Sequence, residues 1–392
     1  MTEPDLMSLL SSSSRAAKSS VIRDLLEHAK RPGVISLAGG IPDPNLFPVA
    51  EITDAAARVM AAGRDVLQYG LTNGEVTARR ALEPLVGRSV DIDKVVVTTG
   101  SQQGLDLLTG VLVDPGDPVV AGDPSYLGAL QAFRAHGASL QPIPVDEVGL
   151  VVDVLEDRLN DPRWPRPKFV YVVANFQNPT GAVLSGPRRA QLVRLAEEHG
   201  FLVVEDDPYG QLRYDGRPLA PIGEGSDHVV RMRSTSKVLA PGLRVGWLEG
   251  PQWLVDAVVV AKQSADLHTS TLSQAIVADL MSDQVWFRSH VESIRQQYRS
   301  RRDAICDALD ATFGDDVSFQ RPEGGMFVWA RFGDVDTSEL LPRALDEGVA
   351  FVPAGAFVID EARDSHARLS FATQEPSEFR VAAERLAAAI RS

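Results

Sequence analysis

The chain has 392 residues, with 39 Lys or Arg against 53 Asp or Glu, a formal net charge of −14 at pH 7, and 44% hydrophobic residues. This is a globular composition, long enough for two or three domains of roughly 100–200 residues each. Its acidic balance argues against nucleic-acid and anionic-membrane surfaces as partners, because Lys and Arg must displace the counterions there. The single cysteine, Cys306, excludes an intrachain disulfide and a multi-Cys zinc site. The seven histidines fall singly rather than at ligand spacing, so no metal is expected.

At the N-terminus, Glu3 and Asp5 stand where a signal peptide carries positive charge. No apolar run approaches the ~18–20 residues of a membrane span, and the expectation is a soluble, cytoplasmic protein. A Ser-rich arm leads into a helix over about 20–29, stopped by Pro32 and Gly33. The stretch 39–44 has four Gly or Pro in six positions and suits neither a central strand nor a helix. It is a connector or a substrate-side loop.

From residue 94 onward, short β-branched runs alternate with segments of helical period. The run 94–99 precedes a helix at 102–113, 118–122 precedes 127–136, and 169–174 precedes 187–199; 201–205 and 229–234 come next. Near-continuous apolar strands separated by helices require a sheet buried on both faces, and hence mostly parallel pairing. The last hundred residues read as a smaller α+β unit: a long charged helix at 285–313, strands near 326–330, 350–352 and 368–371, and a closing helix at 376–390. The expected division is an arm at 1–45, a large domain at 46–284 and a small one at 285–392.

Four features could carry chemistry. Thr98-Thr99-Gly100-Ser101-Gln102-Gln103-Gly104 joins a strand to a helix and could nest an anion on its free N–H groups, or serve as ordinary capping. Asn178, in Gln177-Asn178-Pro179-Thr180-Gly181, is a ligand group or an Asn-Pro turn. Glu205, Asp206 and Asp207 end a buried strand, where they either meet a cation or turn to solvent. Lys237, in Ser234-Thr235-Ser236-Lys237, is one of only six lysines, and a lone lysine is normally a solvated charge. All four fall at the carboxyl ends of strands, where an open parallel sheet binds its ligands. An anion nest, an amide, a carboxylate and an amine together suit pyridoxal phosphate: the amine for a Schiff base, the carboxylate for the pyridine nitrogen, the rest as anchors.

At this point the sequence resembles the fold type I pyridoxal-phosphate aminotransferases, nearest to the branch of 2-aminoadipate and kynurenine aminotransferases. The likeness runs from Ser36-Leu37-Ala38-Gly39-Gly40 to Arg368-Leu369-Ser370-Phe371-Ala372. Between them lie Leu67-Gln68-Tyr69-Gly70, Asp123-Pro124-Ser125-Tyr126, Asp206-Asp207-Pro208-Tyr209, Pro241-Gly242-Leu243-Arg244 and Gly324-Gly325-Met326-Phe327. The resemblance implies that Lys237 forms the Schiff base, Asp206 pairs with the pyridine N–H and Tyr126 stacks on the ring. Asn178 and Tyr209 would bond the phenolic oxygen. Ser101, Gln102, Ser234, Ser236 and Arg244 would hold the phosphate, joined by Tyr69 from the other subunit of a homodimer. Arg368, Asn178 and Gly40 would take the substrate α-carboxylate.

The implied reaction is a ping-pong transfer of an amino group between an L-amino acid (2-aminoadipate, branched-chain or aromatic) and 2-oxoglutarate. A lyase or decarboxylase of the same fold, and a non-catalytic pyridoxal-phosphate-sensing regulator domain, share these residues. The acidic charge and the short stretch before the core weigh against the regulator. Asp266 and His268 read as packing or interface residues, and the lysines other than Lys237 as ordinary. In this branch a helix before the core closes over the substrate, and Arg23 matches the position that meets an acidic side chain, unless it is simply an exposed helical arginine. Arg23→Ala is expected to raise KM for acidic donors more than for leucine in steady-state assays; equal effects exclude the role.

Overall fold

The computed structural model describes residues 6–11, 31–359 and 365–392. The predicted helix at 20–29, and Arg23 with it, lies outside the described residues.

The main sheet has eight strands: β1 (Val95–Thr98), β2 (Pro118–Asp123), β3 (Ser139–Asp146), β4 (Gly149–Leu150), β5 (Phe169–Val173), β6 (Leu202–Asp206), β7 (Val229–Ser234) and β8 (Gly246–Glu249). Their spatial order is β1-β8-β7-β6-β5-β2-β3-β4. The central pairs β7/β6, β6/β5, β5/β2 and β2/β3 are parallel, whereas β8 runs antiparallel to β7 and β1, and β4 antiparallel to β3. The mostly parallel α/β reading therefore holds. Strands β3, β4 and β8, which no sequence pattern marked, lie toward the two sides of the sheet, where they are less uniformly apolar.

Successive side chains of a strand point to opposite faces, and the two faces enter two separate cores. Ala121, Tyr171, Val204 and Met232 pack with the helices α1 (Ser101–Leu112) and α2 (Leu127–Ala135). Val120, Val170, Val203 and Val229 pack with Leu192, Leu195 and Ala196 of α3 (Gly186–His199). Burial on both faces is what makes these strands read as continuous apolar runs.

The helices α4 (Gln252–Ala265), α5 (Thr271–Ser282) and α6 (Gln284–Phe313) lead to a second sheet of four antiparallel strands. Its order is Val317–Phe319, Phe327–Phe332, His366–Ser370, Val352–Pro353, and α7 (Pro376–Arg391) packs against α6. The predicted single strand near 350–352 is two short pieces, Val349–Ala350 and Val352–Pro353. The first of these pairs in parallel with Ile35–Ser36, which ties the start of the described core to its end. No helix among the described residues is long and apolar enough to cross a membrane.

Candidate active site

The carboxyl ends of β1, β2, β5, β6 and β7 deliver their next residues to one cavity of about 580 Å³, within the usual range for small-molecule sites. Ser101, Gln102, Tyr126, Asn178, Asp206, Tyr209, Ser234, Ser236, Lys237, Arg244, Gly40 and Arg368 all line it. Of the loop 39–44, Gly40 and Ile41 face this cavity.

The triplet of acids separates by strand alternation. Asp206 shares the face of Val204 and turns into the cavity, 2% exposed. Glu205 shares the face of Val203 and is buried behind the sheet, within 3.4–3.8 Å of Arg231, Arg233 and Arg189. Asp207 is 3.5 Å from Arg233 and accepts the Gly210 N–H at 2.8 Å. None of the three relies on bulk solvent. Burial raises the Asp206 carboxyl to about 7, against the opposing hydrogen bond donated by the Tyr171 hydroxyl at 2.9 Å. Its other oxygen, Oδ1, is buried with no partner among the described residues. A buried, unpartnered carboxylate oxygen is costly unless a donor fills the space beside it. Tyr171 escaped the sequence reading. The available signal was a hydroxyl in an otherwise apolar run, since a buried Tyr hydroxyl finds a partner.

Lys237 Nζ donates to the Gly40 carbonyl at 3.0 Å. Burial, reinforced by Arg368 and Arg244, lowers its amine from 10.5 to about 8. The Gly40 loop is pinned on both sides. Arg368 donates to the Ala38 carbonyl at 2.6 Å, while buried Asp43 pairs with Arg301 at 2.7 Å and its N–H meets the Tyr298 hydroxyl at 3.1 Å. Arg368 is itself 2% exposed, sandwiched between the rings of Phe327 and Phe357 at 4.5 and 4.9 Å, and donates to Asn178 Oδ1 at 2.9 Å. Burial lowers its guanidinium to about 10, still charged at neutral pH, and its Nε has no partner among the described residues. Asn178 also bonds buried Tyr209, whose hydroxyl burial makes less acidic.

At the other end of the cavity, the turn before α1 meets Arg244. Gly100 has φ +78°, and a Cβ there would lie 2.5 Å from Arg244 Nη2, so only glycine lets the guanidinium close over the turn to the Thr99 carbonyl at 2.9 Å. Ser101 Oγ is buried without a partner among the described residues, and Ser234 Oγ donates to Ser236 Oγ at 2.8 Å. The first N–H groups of a helix have no carbonyl one turn back. Together with one guanidinium and three hydroxyls they form an anion cradle. Tyr126 stands where a Cβ on Gly128 would collide with its ring at 2.6 Å.

Tyr69, expected to act from a neighbouring subunit, is 78% exposed in this chain and packs against His268 at 5.8 Å between ring centroids. Of the lysines expected to be ordinary, Lys168 is exposed and Lys94 half-buried, but Lys262 is fully buried and bonded to Asp266. Asp266 is likewise more than packing, since it also accepts from Thr99 and Gln103 beside the cradle.

An amine titrating near 8 is protonated at pH 6 and mostly neutral at pH 9. In the protein stripped of bound small molecules, acetylation of Lys237 followed by peptide mass spectrometry is expected to rise through a midpoint near 8; a midpoint near the ordinary 10.5 contradicts the geometry.

Comparison with known proteins agrees along nearly the whole chain. The model of the aminotransferase class I and II family matches residues 32–386. The 2-aminoadipate transaminase of Thermus thermophilus is 40% identical over 95% of this chain and 94% of its own. The aromatic-amino-acid aminotransferase 1 of Thermococcus litoralis is 38% identical over 95% and 92%. Among solved structures, the α-aminoadipate aminotransferase LysN of Thermus thermophilus, complexed with N-(5'-phosphopyridoxyl)-L-leucine, superposes with a TM-score of 0.90 at 38% identity, covering 98% of each chain. The chain belongs to the class I and II aminotransferase family.

Proposed function

We propose that the cavity holds pyridoxal 5'-phosphate and transfers an amino group from an L-amino acid to 2-oxoglutarate by a ping-pong route. The observation that carries this reading is the convergence of an acidified amine (Lys237), a buried carboxylate with a free oxygen (Asp206) and an anion cradle (Ser101 with Arg244) on one cavity.

The donor set fits the cofactor group by group. Asp206 Oδ1 lacks the donor that a pyridine N–H would be, and Ser101 Oγ lacks a partner that a phosphate oxygen would be. Ser101, Gln102, Ser234, Ser236 and Arg244 would hold the phosphate, Asn178 and Tyr209 the phenolic oxygen, and Tyr126 the ring face. When bound, the cofactor supplies an aldehyde that joins to an amine and a protonated ring that withdraws electrons from the substrate carbon.

The chain's own groups do the rest. Asp206 keeps a proton on the ring nitrogen; the cation so formed favours its ionised form, offsetting the desolvation that raises it. Arg368 takes the substrate α-carboxylate on its planar fork, oriented by Asn178 and by the Ala38 carbonyl. Lys237 Nζ, lowered to about 8 by burial and by the arginines beside it, would have a substantial neutral fraction near pH 8 and could accept the α-proton as a general base. Its hydrogen bond to the Gly40 carbonyl keeps that nitrogen beside Arg368.

The amino donor is 2-aminoadipate or an amino acid with an aromatic or branched side chain. Support comes from Ile41, Leu127 and Val173, which add apolar surface to the cavity, and from the relatives named for aminoadipate and aromatic substrates. Arg23 is the proposed partner of an acidic side chain. The proposed assembly is a homodimer in which exposed Tyr69 reaches the phosphate site of the partner, and the single buried Cys306 fits a reducing, cytoplasmic setting. A lyase or decarboxylase is not favoured by any of these relatives.

An absorbance titration tests the reaction. The long-wavelength absorbance of the purified holoenzyme is expected to fall on adding L-glutamate and to return with 2-oxoglutarate. Lys237→Ala should abolish the cycle. No change with any amino acid would overturn the assignment.

A further inference from the structure

We propose that Lys262 is a positioning residue of the phosphate cradle, its buried ammonium bracing the Thr99–Gly100–Ser101 turn through Gln103 and Asp266. The inference rests on the reading of that turn as the phosphate site.

Lys262 lies on α4 with no solvent exposure, and it does not line the cavity. Burying an ammonium is unfavourable unless every proton has a partner. Here each has one: Nζ donates to Gln103 Oε1 at 2.8 Å, to Asp266 Oδ1 and Oδ2 at 2.8 and 2.9 Å, and to Thr269 Oγ1 at 3.1 Å. These partners carry the restraint to the cradle. Gln103 Oε1 accepts the Thr99 N–H at 2.7 Å, Gln103 Nε2 donates to Asp266 Oδ2 at 2.6 Å, and Asp266 Oδ2 accepts from Thr99 Oγ1 at 3.1 Å. The Thr99 carbonyl is taken by Arg244. Every polar atom of Thr99 is therefore fixed, and the next residue is Gly100, the position that lets Arg244 close.

Charge and orientation give Lys262 its specific part. The Gln103 amide can face either way, and an ammonium beside Oε1 imposes the orientation that also serves the Thr99 N–H and the Asp266 carboxylate. The ammonium also neutralises Asp266. Without it, an uncompensated carboxylate would stand next to a site for a dianion.

The test separates phosphate recognition from general damage. Apoprotein is titrated with pyridoxal 5'-phosphate and with pyridoxal, which lacks the phosphate, and dissociation constants are read from protein fluorescence for wild type, Lys262→Met and Gln103→Leu. The proposal expects Lys262→Met to weaken pyridoxal 5'-phosphate about tenfold or more, as befits a lost hydrogen bond to a charged group, with pyridoxal changed less than about twofold. Gln103→Leu leaves the Lys262–Asp266 pair in place and should act in the same direction, more weakly. It carries the test if Lys262→Met fails to fold by circular dichroism. Equal weakening of both ligands, or no change in either, overturns the proposal. A wild-type protein with no preference for the phosphorylated ligand would instead overturn the cofactor reading beneath it.

Discussion

Asp206 ends β6 with almost no contact with solvent, one oxygen taking the Tyr171 hydroxyl and the other taking nothing among the described residues. A carboxyl so placed is pushed toward its protonated form, and a cationic donor beside Oδ1 would restore its ionised form. Tyr171 is itself wedged edge-on against Phe133, 5.4 Å between centroids, which fixes the hydroxyl. Behind the sheet, the acids on either side of Asp206 are matched by Arg189, Arg231 and Arg233. Strand alternation lets three consecutive acids coexist because neighbours face opposite ways.

The same economy of charge runs through the cavity. The chain carries a net −14, yet Lys237, Arg244 and Arg368 converge where a phosphate and a carboxylate would bind. The cost of that crowding appears on Lys237, whose amine is acidified by burial and by the two arginines. A group with an ordinary lysine affinity for protons would rarely be a base near neutrality. Here the proposed anion-binding arginines and the proposed base are coupled through one field.

Much of this was legible in the sequence because parallel sheets repeat one rule: the loop leaving each strand starts at its carboxyl end, where ligands bind. The turn at 98–104, Asn178, Asp206 and Lys237 could each be bland alone, and their common placement made them a site. The boundaries of β7 and the long helix α6 were legible to within a residue. The contacts that remained hidden depend on partners far apart in sequence. Asp43 meets Arg301 across 258 residues, Lys262 meets Gln103 across 159, and nothing in the local pattern of α4 marks its lysine as buried. Edge strands such as β4 were missed because two residues carry no readable period. Tyr69 was singled out, yet its exposure in one chain shows only that its proposed role needs a second.

The central claim is that Asp206 keeps the cofactor ring nitrogen protonated. The direct measurement is the ¹⁵N chemical shift of ring-labelled pyridoxal 5'-phosphate bound to the protein, tracked across pH 6–9. A protonated nitrogen throughout, converted to the neutral form in Asp206→Ala, is the predicted result. A neutral nitrogen in the wild-type protein at pH 7 would contradict the account.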